Sequence, residues 1–247
     1  VKENDVLEYL ELKVKNSHPE SSSVRSTSLN LPSETETIPL SANKIAEIQN
    51  LSAGQNKFIS NLNVRVFLQD NFITNEKTNA FGSLTNSLTP VILISVCKAL
   101  KKFKEFNAFF HNDSINLHKK VNLGYILDLG EGIKVVNLGD LENEKIMAVA
   151  KTIFQKVIKY KQGLIGIKDI EGTTFTVSDL SSENVHSFFP LINKFQSAIL
   201  GITGIDNKTN SFLLSLTFDH RVTEGRAASL FLNYIKEEID IELSQKN

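Results

Sequence analysis

Tryptophan is absent from this 247-residue chain, cysteine and methionine occur once each, and proline five times. A single cysteine excludes an internal disulfide framework and fits a reducing compartment. Cys97 lies in the apolar run PVILISVCKAL, where a thiol is a small hydrophobe rather than a nucleophile. No apolar run approaches the roughly 20 residues that span a bilayer. Neither sign of charge dominates, since 27 basic and 28 acidic residues leave a formal charge of −1. The broad basic field expected of a nucleic-acid or anionic-membrane binder is therefore missing. Gly-rich phosphate loops and dinucleotide fingerprints are missing too. His111, His118 and His186 have no metal-ligand spacing with the cysteine or with one another. There is no internal repeat.

What is present is a globular balance, 41% hydrophobic and 22% charged, able to bury a core. The opening VKENDVLEYL has no targeting features and reads as a start inside a longer protein. Val6, Leu7 and Leu10 have helical spacing, in a segment too short to stand alone. Asn16 to Thr37 is crowded with Ser, Thr, Pro and Glu and has few large apolar residues. It cannot bury enough surface to offset its ordering entropy and reads as a flexible linker. The main domain is expected from Ile38 to the end.

Inside that domain the signals alternate. Thr89 is expected to cap a buried helix, with Pro90 at its first position. KKVNLGYILDLGEGIKVVNL reads as two strands around a turn at Gly130 to Gly132. Ile146, Ala150, Ile153, Val157 and Tyr160 form one face of a long helix closed by Gly163. TTFTVSDL and SAILGITGI are strands. In FLLSLTF, Phe212, Leu214, Leu216 and Phe218 alternate against Leu213, Ser215 and Thr217. A closing helix from Ala227 turns Phe231, Ile235 and Ile239 inward. Strands and helices mix without a regular βαβ beat, so an α+β sandwich is favoured over a doubly wound sheet.

The stretch SLTFDHRVTEGRAASLF, Ser215 to Phe231, carries the chemistry. With the strand ending at Phe218, Asp219 and His220 stand at its exit, facing a cleft, and Gly225 permits a tight turn into the last helix. An imidazole there can serve as a general base, its ordinary pKa lying near 6.5. The acid four residues on, Glu224, can brace the loop by pairing with an arginine. On spacing alone, a histidine that merely bonds its own turn is the commoner outcome.

LTFDHRVTEGRAASLFLNYIKEEI resembles the C-terminal signature of dihydrolipoamide acyltransferases, the core components of 2-oxo acid dehydrogenase complexes. That signature is a strand, then Asp-His-Arg-x-x-Asp-Gly, then a helix. IPLSANKIAEI, LTPVILISVCKALKKFKEFNAFF, HKKVNLGYILD, GTTFTVSDL and FFPLIN…QSAILGI follow other segments of the family in order. The similarity covers Ile38 to Leu243. The N-terminal VKENDVLEYL is similar to the end of the family's peripheral-subunit-binding module. The resulting division is a module end at 1–14, a linker at 15–37 and an acyltransferase-like core at 38–247.

The resemblance implies an α+β sandwich of the chloramphenicol acetyltransferase type, assembled as homotrimers that can join into a cage. The reaction channel would lie between subunits, with coenzyme A entering at one end and a lipoyl-lysine arm at the other. His220 would take the thiol proton, and Ser178, from across the trimer interface, would donate to the oxyanion. No metal, nucleic acid or membrane enters this scheme. The expected compartment is the mitochondrial matrix in a eukaryote and the cytoplasm in a bacterium.

Several residues depart from the family pattern. Glu224 replaces Asp before the glycine, lengthening the brace. Asp179 replaces the asparagine after the active serine, which puts a negative charge beside the oxyanion position. Two prolines that stiffen the channel wall are lost, Asn-Pro-Pro-Gln becoming Asn193 to Gln196, NKFQ. Lys44 stands in a segment where the family carries arginines. Together these changes favour a noncatalytic sister, protein X, which anchors dihydrolipoamide dehydrogenase through the upstream module to an acyltransferase core. The usual mark of that sister is loss of the histidine, which is present here, so an active dihydrolipoamide acyltransferase is the alternative.

Overall fold

The computed structural model describes residues 35–39, 58–68, 88–128 and 133–244. The described residues all belong to one unit, within Pro32–Asn247. The module end and most of the linker assigned above lie outside the described residues, as do Lys44 and the Gly130 to Gly132 turn. The first strand, β1, is Thr35–Pro39. The ordered domain therefore reaches back before Ile38, into the last residues assigned to the linker.

Two sheets form the frame. The larger contains β2 (Ile59–Phe67), β5 (Leu123–Asp128), β6 (Ile133–Asn137), β7 (Phe175–Asp179), β8 (Ala198–Ile202) and β9 (Ser211–Asp219). Its order is β2-β9-β8-β7-β5-β6. β7 runs parallel to β5 and β8, and the other pairs are antiparallel. β3 (Ala108–His111) and β4 (Ser114–His118) join β1 in a small sheet of order β1-β4-β3. This hairpin turns on Asn112 and Asp113 at φ 48° and 53°. Left-handed backbone at both central residues is what a tight two-residue hairpin requires, and Asn and Asp tolerate it best after glycine.

One face of the large sheet is packed by helices. α1 (Thr89–Lys102) is buried for most of its length, so its apolar run has no wet side. Its N-cap is Leu88, with no side-chain cap. Thr89 is already inside the helix, and its hydroxyl is engaged elsewhere. α2 (Ile146–Lys161) buries Ala150, Ile153 and Tyr160, as its periodicity predicted, and Gly163 beyond it takes φ 68°. A single turn, α3 (Ile167–Ile170), follows.

The closing helix α4 (Gly225–Ser244) starts at Gly225 rather than Ala227, and Phe231, Ile235 and Ile239 are fully buried. Gly225 has no positive φ and has open space where a Cβ would stand, so the turn does not depend on glycine's freedom. Phe231 stacks on Phe106 at 4.2 Å between ring centroids and meets Phe175 edge-on at 6.0 Å. This aromatic knot joins α4 to the sheet. Lys98 of α1 reaches Glu238 and Glu242 of α4 at 2.9 and 2.8 Å.

Candidate acyl-transfer site

Register decides what each face carries. Ser178 of β7 is opposite Gly201 of β8, which is opposite Ser215 of β9, which is opposite Asn63 of β2. The next row holds Thr176, Ile199, Thr217 and Asn61. Side chains alternate along a strand, so these polar groups share the face opposite the helices. Thr176, Ser178, Ser215 and Thr217 are nonetheless buried.

The segment between β7 and β8 roofs them and bonds the hydroxyls of Thr176 and Ser215. Thr176 Oγ1 donates to Gln196 Oε1 at 2.9 Å and accepts from Asn193 Nδ2 at 2.9 Å. Ser215 Oγ donates to the Phe188 carbonyl at 2.7 Å. Asn61 Nδ2 bonds both Ser215 Oγ and Thr217 Oγ1, at 3.1 and 3.0 Å. A buried face can be polar when nearly every group on it has a partner.

Asp179 follows Ser178 and so points the other way, toward the helices. Its Oδ2 accepts from Thr89 Oγ1 at 2.6 Å and from the Tyr125 hydroxyl at 3.3 Å; its Oδ1 accepts from the Ser181 amide at 2.9 Å. Thr89 opens α1, and the start of a helix favours negative charge. The sequence expectation of an opposing charge beside the oxyanion is corrected by the strand's pleat. Burial first, and the Asp179 carboxylate second, hold the Tyr125 hydroxyl well above its ordinary pKa, so it stays a donor.

β9 runs through Asp219, one residue past Phe218. Asp219 is buried rather than facing a cleft. Its carboxylate grips Arg221: Oδ1 accepts from the backbone amide and Nε at 2.9 and 3.0 Å, and Oδ2 from Nη2 at 2.6 Å. The guanidinium lies against two aromatic rings, Phe58 at 4.9 Å and Phe110 at 4.3 Å. Between these anchors is half-buried His220, whose amide donates to the Phe58 carbonyl at 2.7 Å. The Val222 and Thr223 amides close the turn on the Asp219 carbonyl at 2.9 and 3.2 Å.

The Asp219–Arg221 pair braces the loop. Glu224 is exposed, and its carbonyl accepts the Ala228 amide at 2.9 Å as α4 begins. An acid two residues before an arginine was the available sequence signal. The aromatic contacts come from distant segments and left none.

The structure does not bring His220 and Ser178 together within one chain. Ser178 is level with Ser215, and His220 follows Ser215 by five residues. At ~3.4 Å per residue along a strand and ~4.8 Å per strand across the sheet, the two α-carbons are roughly 20 Å apart.

The roof also explains one of the two missing prolines. Phe195 adopts φ 59°, which a proline ring, fixed near −65°, cannot. Its carbonyl bonds His118 Nε2 at 2.9 Å, and its ring meets Phe109 at 5.2 Å. The wall is tied by contacts where the family pattern has rings in the chain. Burial, outweighing that carbonyl, lowers the His118 pKa. A cavity of about 570 Å³ near His118, lined also by Lys101, Lys104, Lys120, Asn107 and Asp140, contains neither Ser178 nor His220. Among the described residues, no cluster of His, Cys, Asp or Glu is arranged to hold a metal, and no helix is long and apolar enough to cross a membrane.

The chain resembles known proteins over most of this architecture. A dihydrolipoyllysine-residue acetyltransferase component of the pyruvate dehydrogenase complex from Buchnera aphidicola is 32% identical over 174 residues, 65% of this chain and 44% of that protein. A crystal structure of a probable dihydrolipoamide acetyltransferase from Listeria monocytogenes superposes with TM-score 0.65 at 24% identity, covering 83% of this chain and 94% of that one. Chloramphenicol acetyltransferase superposes with TM-score 0.55 at 11% identity, over 83% of this chain and all of its own. The sandwich expected from the sequence is thus the fold observed. The chain spans less than half the length of the curated relatives it matches. The family model of the catalytic domain of 2-oxoacid dehydrogenase acyltransferases matches residues 32–244, and the chain belongs to that family.

Proposed function

We propose that this domain moves an acyl group between a lipoyl-lysine arm and coenzyme A, in a homotrimer whose adjoining copies complete each site. One observation carries the reading: His220 sits on a braced loop and Ser178 in a buried polar layer of the sheet, yet they lie roughly 20 Å apart in one chain. Two halves of a site that meet across copies have that layout. A hydrogen-bonded catalytic pair has to come within about 3 Å, which one chain alone does not achieve.

The chemistry is acyl exchange between two thiols. The His220 imidazole takes the proton from the coenzyme A thiol as its sulfur attacks the thioester carbonyl of the acylated arm. A neighbour's Ser178 hydroxyl donates to the tetrahedral oxyanion. Collapse breaks the bond from carbon to the lipoyl sulfur, which receives the proton back from His220. The products are acyl-CoA and the dihydrolipoyl arm, with no net redox change. Relatives named as acetyltransferase components of pyruvate dehydrogenase complexes support an acetyl group and a pyruvate complex.

Two features that favoured the noncatalytic sister in the sequence weigh less in the fold. Asp179 is tied down on the helix side of the sheet, and the turn that lacks the two prolines is held by His118 and Phe109. One observation still favours an anchoring subunit, which would recruit dihydrolipoamide dehydrogenase to an acyltransferase core: the exposed, lengthened acid at Glu224.

Turnover of the purified full chain with acetyl-CoA and dihydrolipoamide tests the two readings. His220→Ala should lower kcat by about 10²–10⁴, and Ser178→Ala by about 10²–10³, with the trimer's mass unchanged in both. A wild-type chain without turnover, or one that is monomeric by light scattering, overturns the transferase reading.

A further inference from the structure

The wall beside Ser178 is made of one aromatic ring and one absent side chain. Gly201, directly opposite Ser178, has no room for a Cβ: an atom built there would stand 2.6 Å from Phe188 Cζ and 3.0 and 3.1 Å from its Cε atoms. The tip of the Phe188 ring thus rests on the glycine, on the face that Ser178 occupies. Ser215 on the other side bonds the Phe188 carbonyl at 2.7 Å, so backbone and ring are both seated. The ring is only half-buried, while the next residue, Phe189, is exposed.

Distances in the reacting group locate what that ring would touch. If the Ser178 hydroxyl donates to a thioester oxygen at ~2.8 Å, the first alkyl carbon of the acyl chain lies ~4–5 Å from that hydroxyl. One strand spacing, from Ser178 to Gly201, is ~4.8 Å. The ring tip therefore stands within the radius swept by the first carbons of the transferred group. A methyl fits such a space, and a branched chain meets the ring.

We propose that Phe188, seated in the gap left by Gly201, closes the acyl end of the site and restricts the transferred group to short, unbranched acyl chains. This specificity role rests on the acyl-transfer reading above for its substrate class. It adds a residue that the Asp-His-Arg motif does not contain, and its signal in the sequence is only a phenylalanine in a loop and a glycine in a strand.

The experiment uses the full chain with acetyl-CoA and isobutyryl-CoA as probes, read in two ways. kcat/KM with dihydrolipoamide gives the transition-state preference, and calorimetric binding of each acyl-CoA without acceptor gives the ground-state preference. In Phe188→Ala, the isobutyryl-to-acetyl ratio should rise about 10-fold or more, within the 10–200-fold that a methylene commands in a fitted pocket. Phe188→Leu, a milder change checked by its melting temperature, should move the ratio in the same direction by less. Ratios unchanged in both variants and both readouts overturn the proposal. Shifted binding ratios in a chain without turnover uphold it while sinking the transferase reading. Failure of the wild type to bind either probe overturns both.

Discussion

The two faces of the six-stranded sheet are both buried, and they are buried by different means. On the helix side Phe175, Val177, Leu200, Leu216 and Phe218 pack against α1 and α4, and removal of apolar surface from water supplies the stabilisation. On the roofed side Thr176, Ser178, Ser215 and Thr217 sit under a loop that provides polar partners, as with Thr176 and Ser215. Hydrogen bonds of that kind contribute little net stability but are costly to leave unmade. One face holds the domain together. The other holds a layer of buried polar side chains, Ser178 among them, beneath a hydrogen-bonded loop.

Four substitutions would break or sharpen that contrast. The largest effect should come from Phe231→Ala at the aromatic knot, about 3–5 kcal/mol of stability by urea titration. A loss below 1 kcal/mol would mean that the helix face is not the main source of cohesion. Next come two neighbours on opposite faces, Thr176→Val and Val177→Thr, nearly identical in shape. Each should cost about 1–3 kcal/mol. The first strands Gln196 Oε1 and Asn193 Nδ2, and the second puts a hydroxyl among aliphatic side chains. A neutral Thr176→Val would show that the roof does not depend on its hydrogen bonds.

The smallest effect concerns pH. His118, which ties down Phe195, has its folded pKa lowered by burial. Its neutral form contributes stability that is full above the unfolded value near 6.5 and is lost as pH falls through that value towards the folded one. His118→Gln should flatten the acid side of a melting-temperature profile between pH 7 and 5. An unchanged slope would remove His118 from the account.

Local pattern made much of this legible. The β5–β6 hairpin, the α2 stripe ending at Tyr160 and the buried α1 follow from period and punctuation. The motif points to His220 and the resemblance to Ser178 as expectations that the proposed experiment tests. The partners of Asp179 were not, because Thr89 and Tyr125 lie 90 and 54 residues away. Strand alternation did imply its direction, since neighbours on a strand face opposite ways. Phe195 misleads for a related reason: loss of two prolines reads as loss of stiffness, and only the fold reveals His118 and Phe109 holding that turn.

Cys97 acquires a meaning here that composition alone did not give it. Its sulfur accepts the Leu141 amide at 3.4 Å, and burial pushes the thiol up to about 12. Thiol–disulfide exchange needs an accessible thiolate to attack a disulfide sulfur. The chain's sole sulfhydryl is protonated and out of reach, so under the proposed transfer an oxidised lipoyl disulfide would meet no thiolate on this domain to open it.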